Sequence, residues 1–351
     1  DPDIQPLIYG GKGVGSHGDG SVQFLAKDQE SQKQLQEYLY SQGMKAYTLT
    51  INPVHTVRKA IIPVAGFGTR LYPATRAIKK DFIPIPCADG FVRPVILILL
   101  EELINSGIED ICLVLGSEEE RIQYADFFER QLSPEHLNKL NPQCREYERK
   151  IASIGKRLHY VYQKEKRGFG HAVYQAAAFA GNEPVLLMLG DTVYRSNTNK
   201  PCALQLIEEY EHYNSLMVSV HPVQLAEVSR YGILSGVWED RDHKVLNVSI
   251  MQEKPKASYA EEYLGVKDLD GKNKYFSVFG QYILTSEVFR QLEEDIAQAD
   301  VSGSANEIEL TSALEKKKKK SGMIGVRLDG VMYDMGNHTA FRNAVLEYSK
   351  E

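Results

Sequence analysis

The stretch from Lys59 to Ile85 constrains this chain more than any other. It opens with an apolar run over residues 60–65, typical of a buried strand, and passes directly into the glycine-rich sequence Gly66-Phe67-Gly68-Thr69-Arg70. Glycines at such a turn let backbone N–H groups approach a phosphate closely, because no Cβ blocks the way. Further cations follow soon after the turn, at Arg76, Lys79 and Lys80. The pattern predicts a site for a nucleoside triphosphate.

The same run resembles the sugar-nucleotide pyrophosphorylase family, most closely its bacterial UTP–glucose-1-phosphate uridylyltransferase branch. The family pattern G-x-G-T-R-x-x-P-x-T, followed by a lysine in a P-K-E context, is matched by Gly66, Gly68, Thr69, Arg70, Pro73, Thr75 and Lys80. Two positions depart from it, with Lys79 in place of proline and Asp81 in place of glutamate. The resemblance implies that Arg70 and Lys80 are catalytic. It also implies a nucleotide-binding turn made of Ala65, Gly66, Gly68 and Thr69.

Composition limits the classes of protein that fit. The chain has 351 residues, of which 43% are hydrophobic, enough for one large α/β domain and a smaller piece. A net charge of -6 gives no general basic field, so no nucleic-acid partner is expected. No apolar run approaches the roughly 18 residues of a membrane span. The four cysteines are widely spaced, which favours reduced thiols in a cytoplasmic protein over a zinc site or a disulfide framework.

Residues 1–57 lie outside the pyrophosphorylase pattern. They predict a glycine-rich loop over 10–21 and then a β-α-β segment with a strand at 22–26, a helix at 29–42 and a strand at 46–51. The glycines at 13, 15 and 18 match G-x-G-x-x-G, but a strand follows them instead of a helix, which argues against a nicotinamide-dependent oxidoreductase. The segment resembles the C-terminal end of a GHMP-type sugar kinase. We therefore expect an accessory piece without chemistry of its own, and the hypothesis is that a sugar kinase domain lies upstream in the full-length chain.

Residues 58–351 alternate strand and helix patterns. This alternation predicts a Rossmann-like α/β domain with a mixed, mostly parallel sheet and helices on both faces. The resemblance implies the nucleotide-diphospho-sugar transferase type of that fold. The apolar run 184–190 ends just before Asp191, and ligands of such sheets bind outside the carboxyl ends of the strands. Asp191 is therefore expected to face the ligand crevice.

The family's remaining motifs follow in order. The string G-F-G-H-A-V begins at Gly168, and the resemblance implies that Gln163 reads the uracil edge with the Gly168 backbone nearby; an amide offers both a donor and an acceptor for this task. His171 within the string is expected to be structural. The resemblance assigns sugar-phosphate contacts to Tyr231, Gly232, Glu253, Lys254 and Gly280. It assigns Mg²⁺ to Asp191 and to Asp334 of a D-x-G motif, a pairing that rests on the resemblance alone.

Three other stretches and the single residue Arg93 also carry expectations. The run of five lysines from Lys316 to Lys320 predicts a solvated helix end. Residues 256–275 predict a mobile hairpin or loop near the sugar. Residues 306–311 resemble the family's D-E-I-Q-L-T helix start, and Arg93 is expected to stand in for a family lysine.

The resemblance, together with these features, implies transfer of a uridylyl group. An oxygen of glucose-1-phosphate would attack the α-phosphorus of UTP, and pyrophosphate would leave. The nucleophile is already an anion, so charge neutralisation and in-line positioning matter more than a general base. Two alternatives stay open: a nucleotidyltransferase for another base or sugar, such as a thymidylyltransferase, and a non-catalytic sugar-nucleotide binding module. No membrane partner is expected. The family often forms dimers or tetramers, so the resemblance is compatible with a homo-oligomer.

Overall fold

The chain forms two compact units, Asp1–Val54 and His55–Glu351. The computed structural model describes residues 2–14, 21–48, 56–66, 68–302, 307–336 and 338–350. In this part of the chain, no helix is long and apolar enough to cross a membrane. All four cysteines are free thiols.

The first unit is a β-hairpin followed by a helix. Strands β1 (Ile8–Val14) and β2 (Ser21–Ala26) pair antiparallel after a short 3-10 helix at Gln5–Leu7. Helix α1 (Gln29–Ser41) begins after Asp28, whose carboxylate accepts a hydrogen bond from the backbone N–H of Ser31 at 2.7 Å.

The predicted β-α-β arrangement of the first unit is wrong in two places. The glycine-rich stretch enters β1 before residue 15, because Gly11 leaves room for the Phe24 ring of the neighbouring strand; a Cβ there would lie 2.7 Å from it. Residues 46–48 of the predicted last strand have no regular structure, and residues 49–51 lie outside the described part, as do Gly15 and Gly18. The described order is therefore β-β-α.

The second unit carries the large sheet. Its strands in chain order are β3 (Lys59–Pro63), β4 (Pro84–Pro86), β5 (Val92–Pro94), β6 (Asp110–Leu115), β7 (Leu158–Tyr162), β8 (Val185–Met188), β9 (Thr192–Ser196), β10 (Met217–Val223), β11 (Gly232–Trp238), β12 (Val245–Glu253), β13 (Val266–Lys267), β14 (Asn273–Leu284), β15 (Ile324–Arg327) and β16 (Gly330–Asp334).

Helices alternate with these strands. They are α2 (Ala74–Ala77), α3 (Val95–Asn105), α4 (Glu118–Phe128), α5 (Pro134–Lys139), α6 (Pro142–Gly155), α7 (Phe169–Tyr174), α8 (Ala177–Ala180), α9 (Cys202–Tyr213), α10 (Ala257–Tyr263), α11 (Ser286–Ser302), α12 (Leu310–Ser321) and α13 (His338–Tyr348). Short 3-10 helices lie at Thr69–Leu71, Lys80–Phe82 and Leu225–Arg230.

Among the described residues, ten strands form one mixed sheet in the order β10-β15-β12-β11-β14-β8-β3-β6-β7, with β13 paired to β14. The predicted Rossmann-like α/β class is confirmed. Parallel pairing joins β8, β3, β6 and β7 in one half of the sheet and β10 to β15 in the other. The remaining pairs, including β14 with β8, are antiparallel, so the expectation of a mostly parallel sheet holds for one half only. The antiparallel half arises because short loops, such as that between β11 and β12, can join only antiparallel neighbours.

The core lies on both faces of the sheet, as predicted. Alternate residues of β3 point to opposite sides: Ile62 packs with α3 and α9 in one cluster, and Ile61 packs with α7, α11 and α12 in the other. Helix α3 is apolar on nearly all sides, and its residues from Val95 to Leu100 are buried. Burial of one such leucine or isoleucine stabilises the fold by about 1.5–3 kcal/mol.

Two expectations for the second unit are corrected. The lysine run is not a solvated helix end, because Lys317 and Lys318 are each only 8% exposed. Their aliphatic stems pack inside while the Lys317 ammonium pairs with Glu287 and the Lys318 ammonium reaches the backbone carbonyl of Ser249.

The segment 256–275 ends in the β13–β14 hairpin, which agrees with the expected hairpin, but its first part is the helix α10 and not a loop. Its anchor is Asp268, which is 4% exposed and forms ion pairs with Arg327 at 3.0 Å and Lys274 at 2.7 Å. These contacts lower the pKa of the Asp268 carboxyl despite the opposing effect of burial.

Candidate active site

The glycine-rich turn after β3 is shaped around the side chain of Lys80. A Cβ on Gly66 would lie 3.3 Å from the Lys80 ammonium, and one on Gly68 would lie 3.1 Å from Lys80 Cβ. Gly68 also has φ +64, a conformation that favours glycine, and its carbonyl accepts a hydrogen bond from the Thr75 hydroxyl at 3.1 Å. Thr69 begins the 3-10 helix that carries Arg70. The backbone at Gly68 therefore favours glycine, and both glycines leave space for the Lys80 side chain.

Lys80 pairs with the carboxylate that follows β8. Its ammonium lies 2.9 Å from Asp191 Oδ2, and the Lys80 side chain is 13% exposed. Strands β3 and β8 are parallel neighbours, so the turn at Gly66 and the carboxylate at Asp191 leave the sheet at the same edge. The expected position of Asp191 at this edge follows from that pairing.

The β9–β16 ribbon brings Asp334 to the same place. Asp334 is directly opposite Thr192 in the antiparallel register, and the backbone N–H of Met335 donates to the Asp191 carbonyl at 2.7 Å. The next residue, Gly336, donates its N–H to Asp334 Oδ1 at 2.7 Å. The register of this ribbon therefore unites two aspartates that lie far apart in the sequence.

Gly336 marks the point where the charged groups converge. A Cβ on this residue would lie 2.8 Å from Asp334 Oδ1, 3.0 Å from Arg70 Nη2 and 3.4 Å from Asp191 Oδ2. Two carboxylates and a guanidinium thus surround one small volume that glycine keeps clear. Gly336 was not among the predicted site residues, although the D-x-G motif contained the signal.

The two carboxylates fit a Mg²⁺ site. Mg²⁺ is usually held by one or two carboxylates together with substrate phosphates and water. Asp191 Oδ2, from the turn between β8 and β9, and Asp334 Oδ1, from the end of β16, approach the same point. The described residues contain no group of three or more histidines, cysteines, aspartates or glutamates able to hold a metal ion. A divalent cation here would therefore need oxygens from the substrate.

The two departures from the family motif have defined contacts. The Lys79 ammonium lies 2.6 Å from Glu120 Oε2 and 3.3 Å from the Val64 carbonyl, so it links the end of β3 to α4. Asp81 is fully buried, and its Oδ2 accepts a hydrogen bond from the Tyr124 hydroxyl at 2.9 Å. Its other oxygen has no hydrogen-bond partner among the described residues, and burial raises the pKa of Asp81 to about 6.

Gln163 supports the turn at Gly168. The side chain is 5% exposed, and its amide nitrogen donates to the Gly168 carbonyl at 2.9 Å. Its backbone N–H donates to the Leu115 carbonyl at 2.7 Å, which fixes it at the end of β7. The same amide nitrogen lies 3.3 Å from His171 Nδ1, and burial and Arg167 lower the pKa of His171. The structure thus brings Gln163, Gly168 and His171 together as one rigid corner.

Four of the residues predicted to bind the sugar phosphate, Tyr231, Gly232, Glu253 and Lys254, lie at the ends of β11 and β12. Gly232 is directly opposite Glu253, and the N–H of Lys254 donates to the Tyr231 carbonyl at 3.0 Å. A Cβ on Gly232 would lie 3.0 Å from Glu253 Oε2. Lys254 has φ +43, an uncommon conformation outside glycine, and its side chain is 64% exposed. The ammonium lies on an exposed side chain, 3.5 Å from Glu253 Oε1, and extends from a constrained backbone.

The surroundings of Tyr231 disfavour ionisation of its phenol. Burial is the main cause that raises the pKa of Tyr231, and the charges of Glu227 and Asp334 add to it.

Gly280 and Arg93 have contacts inside the protein that differ from their expected ones. A Cβ on Gly280 would lie 2.6 Å from the Tyr194 hydroxyl, and the Gly280 carbonyl accepts from the Leu189 N–H at 3.1 Å. These contacts favour glycine at position 280, and the predicted contact of Gly280 with the sugar phosphate stays a prediction. Arg93 is held by Asp89 at 2.8 Å and Glu101 at 3.0 Å, so its guanidinium is committed to the β4–β5 region.

Two contacts of the site were not anticipated from the sequence. The Lys166 ammonium donates to the Ala65 carbonyl at 3.1 Å and so closes one side of the glycine-rich turn. The Thr311 hydroxyl donates to Glu253 Oε2 at 3.1 Å. The L-T pair at residues 310–311 was noted as a helix start, but nothing local indicated where its hydroxyl would point.

Comparison with known proteins gives relatives for the second unit. Residues 59–351 match the nucleotidyl transferase family. The chain is 34% identical over 295 residues to the UTP–glucose-1-phosphate uridylyltransferase of Streptococcus pneumoniae serotype 4, an alignment that covers 84% of this chain and 90% of that protein.

The chain is also similar to solved structures of UDP-glucose pyrophosphorylases. A UDP-glucose pyrophosphorylase complexed with UDP-glucose superimposes with a TM-score of 0.65 at 30% identity, covering 83% of this chain and 98% of that one. A UTP-bound UGPase from Acinetobacter baumannii gives a TM-score of 0.64 at 25% identity, covering 83% and 93%.

Proposed function

The chain belongs to the nucleotidyl transferase family, and we propose that it is a UTP–glucose-1-phosphate uridylyltransferase. The observation that carries the proposal is the cluster of Arg70, Lys80, Asp191 and Asp334 beside a glycine-rich turn. The alternatives with another base, or without catalysis, are not favoured by the relatives.

The reaction transfers a uridylyl group between two polyanions. A phosphate oxygen of glucose-1-phosphate forms a bond to the α-phosphorus of UTP while the bond to the bridging oxygen of pyrophosphate breaks. The attacking oxygen is already negatively charged, so no side chain has to remove a proton. At 4 Å two like charges repel by about 4 kcal/mol at an effective dielectric near 20, and the site must offset this repulsion.

Cations in and beside the glycine-rich turn would offset this repulsion between the phosphates. Arg70 and Lys80 would hold the triphosphate, while the backbone of Ala65, Gly66, Gly68 and Thr69 would line it. Mg²⁺ held by Asp191 and Asp334 would neutralise phosphate oxygens and bring them together. Lys80 already pairs with Asp191. The residues that would bind the triphosphate and the carboxylates that would bind Mg²⁺ are therefore in direct contact.

The uracil base and the sugar phosphate would bind in two other parts of the site. Gln163 and Gly168 would bind the uracil edge, with Gln163 acting chiefly by holding the Gly168 turn. Glu253 would accept hydrogen bonds from sugar hydroxyls, and Lys254 would meet the sugar phosphate as a point charge. Tyr231 and Gly232 would line the sugar, and Gly280 would support it from the strand behind.

A substrate matrix tests the proposal. Purified protein is incubated with each of UTP, dTTP, ATP and GTP against glucose-1-phosphate and galactose-1-phosphate in the presence of Mg²⁺, and pyrophosphate release is measured. We expect UTP with glucose-1-phosphate to give the highest kcat/KM. A preference for dTTP, or tight binding of UDP-glucose without any turnover, would contradict the proposal.

Two further proposals concern the role of residues 1–57 and the cellular location of the protein. We propose that residues 1–57 form an accessory segment, and that a sugar kinase domain upstream of it would supply the sugar-1-phosphate. We also propose a cytoplasmic location, because the four free cysteines suit a reducing compartment.

A further inference from the structure

A short segment joins the two halves of the site. This bridging segment, residues 307–311, runs past the Gly168 turn and ends in the first residues of α12. The Ile308 N–H donates to the Arg167 carbonyl at 2.7 Å, and the Ile308 carbonyl accepts from the Gly170 N–H at 2.8 Å. Two backbone hydrogen bonds therefore fix the segment against the corner proposed to bind the nucleotide.

Both glycines of the G-F-G string are required by this contact. A Cβ on Gly168 would lie 2.7 Å from the Ile308 carbonyl oxygen, and one on Gly170 would lie 2.9 Å from the same atom. Ile308 and Leu310 are also buried, at 6% and 3% exposure, in the cluster beneath the sheet. The bridging segment is therefore held by backbone, glycine packing and core burial together.

The end of the bridging segment reaches the sugar side. Thr311 lies in the first turn of α12, and its hydroxyl donates to Glu253 Oε2 at 3.1 Å. The second Glu253 oxygen lies 3.5 Å from the Lys254 ammonium. The carboxylate is thus held from two directions, by a hydroxyl that the core fixes and by a cation on an exposed side chain.

We propose that Thr311 is a positioning residue that orients the Glu253 carboxylate toward the sugar hydroxyls. The proposal rests on the uridylyltransferase function and on the sugar-binding role of Glu253. Hydrogen-bond recognition of a hydroxyl depends on acceptor direction, so a carboxylate that rotates loses discrimination between epimeric sugars. Thr311 fixes that rotation because α12 cannot shift without breaking the Ile308 contacts.

Thr311→Val tests the role, since it keeps the shape and removes the hydroxyl. We expect the KM for glucose-1-phosphate to rise about tenfold, in keeping with the loss of a hydrogen bond to a charged group. The KM for UTP should stay within twofold, and the preference for glucose-1-phosphate over galactose-1-phosphate should fall. Thr311→Ser should return the KM for glucose-1-phosphate and the sugar preference to their wild-type values. Ser312→Ala, at an exposed neighbour in the same helix, should change none of the three quantities.

A double-mutant cycle separates positioning from general destabilisation. If Thr311 acts through Glu253, adding Thr311→Val to Glu253→Ala, which removes the acceptor, should produce little further loss of kcat/KM. Additive losses, or a KM for UTP that rises in parallel with that for the sugar phosphate, would overturn the proposal. Should Thr311→Val fold poorly by thermal melting, Thr311→Ala is measured in the same cycle.

Failure of the Thr311 positioning role can be distinguished from failure of the proposed uridylyltransferase function. If the wild-type protein releases no pyrophosphate from UTP and glucose-1-phosphate, the function itself fails. In that case UDP-glucose binding by calorimetry replaces turnover, and an unchanged affinity of Thr311→Val would overturn the positioning role as well.

Discussion

The Lys80 ammonium lies 2.9 Å from Asp191 Oδ2, and this ion pair joins the glycine-rich turn to the carboxylates at the neighbouring strand end. The pair is largely shielded, with Lys80 13% and Asp191 27% exposed, so its attraction exceeds that of a surface pair. Each partner fixes the other before any ligand arrives. A triphosphate and its cation would therefore enter a site whose charges are already placed.

Removal of the Lys80 charge tests this arrangement. Lys80→Ala should lower turnover by roughly 10²–10³, as for the loss of other preorganised charge stabilisers, while the fold survives. Pyrophosphate release and thermal melting measure the two properties. Lys319→Ala serves as the matched control, because this lysine is 73% exposed on α12 and should leave the rate unchanged. Turnover of Lys80→Ala within threefold of wild type would remove Lys80 from the mechanism.

Loss of one carboxylate should change the response to Mg²⁺. Asp191→Asn keeps the side-chain size but removes the charge that approaches the Gly336 position together with Asp334. We expect the Mg²⁺ concentration for half-maximal rate to rise at least tenfold, since a carboxylate is the harder and stronger ligand. The measurement is a Mg²⁺ titration at saturating UTP. An unchanged titration curve would reject Asp191 as a metal ligand.

Gly336→Ala probes the clear volume between the charged groups. The added Cβ would lie 2.8 Å from Asp334 Oδ1 and 3.0 Å from Arg70 Nη2, so both side chains must move aside. We expect kcat to fall about tenfold or more, with a small change in melting temperature, because the displaced atoms are the ends of flexible side chains.

Gly10→Ala is the comparison for this variant, since a Cβ at Gly10 would have no heavy atom within 4 Å. Its kinetics should match those of the wild type. Equal activity of Gly336→Ala and wild type would show that the convergence at Gly336 has no part in turnover.

How much the sequence could predict depends on how local each feature is. The Gly66–Arg70 turn and the Asp191 strand end follow from neighbouring residues, and the structure places them as expected at one sheet edge. The meeting of Asp191 with Asp334 depends on the register of the β9–β16 ribbon, which no local pattern encodes. The burial of Lys317 likewise depends on Glu287 of another helix.

The incorrect prediction for the first unit also arises from a contact that the local sequence does not show. Gly11 and its neighbours are typical of a loop by composition, yet they pair as a strand because Phe24 covers the space above them. In that case a cross-strand contact outweighs the local preference of glycine, in keeping with the strong context dependence of strand propensity.

Asp81 gives a prediction about stability and pH. Burial raises its pKa from the ordinary 3.8 to about 6, so the folded protein binds this proton more tightly than the unfolded chain. Its contribution to the free energy of unfolding is therefore fully present below about pH 4, falls as the pH rises to about 6 and stays low above that. Asp81→Asn removes the ionisation and can still accept the Tyr124 hydrogen bond.

We expect Asp81→Asn to be more stable than wild type by about 1–3 kcal/mol at pH 8, with the advantage vanishing near pH 4. Urea unfolding at pH 4, 6 and 8 measures the difference. Asp110→Asn is the control, because this aspartate is 47% exposed beside His159 and should shift stability little across the same range. A constant difference between Asp81→Asn and wild type from pH 4 to pH 8 would show that Asp81 does not titrate with a raised pKa in the folded protein.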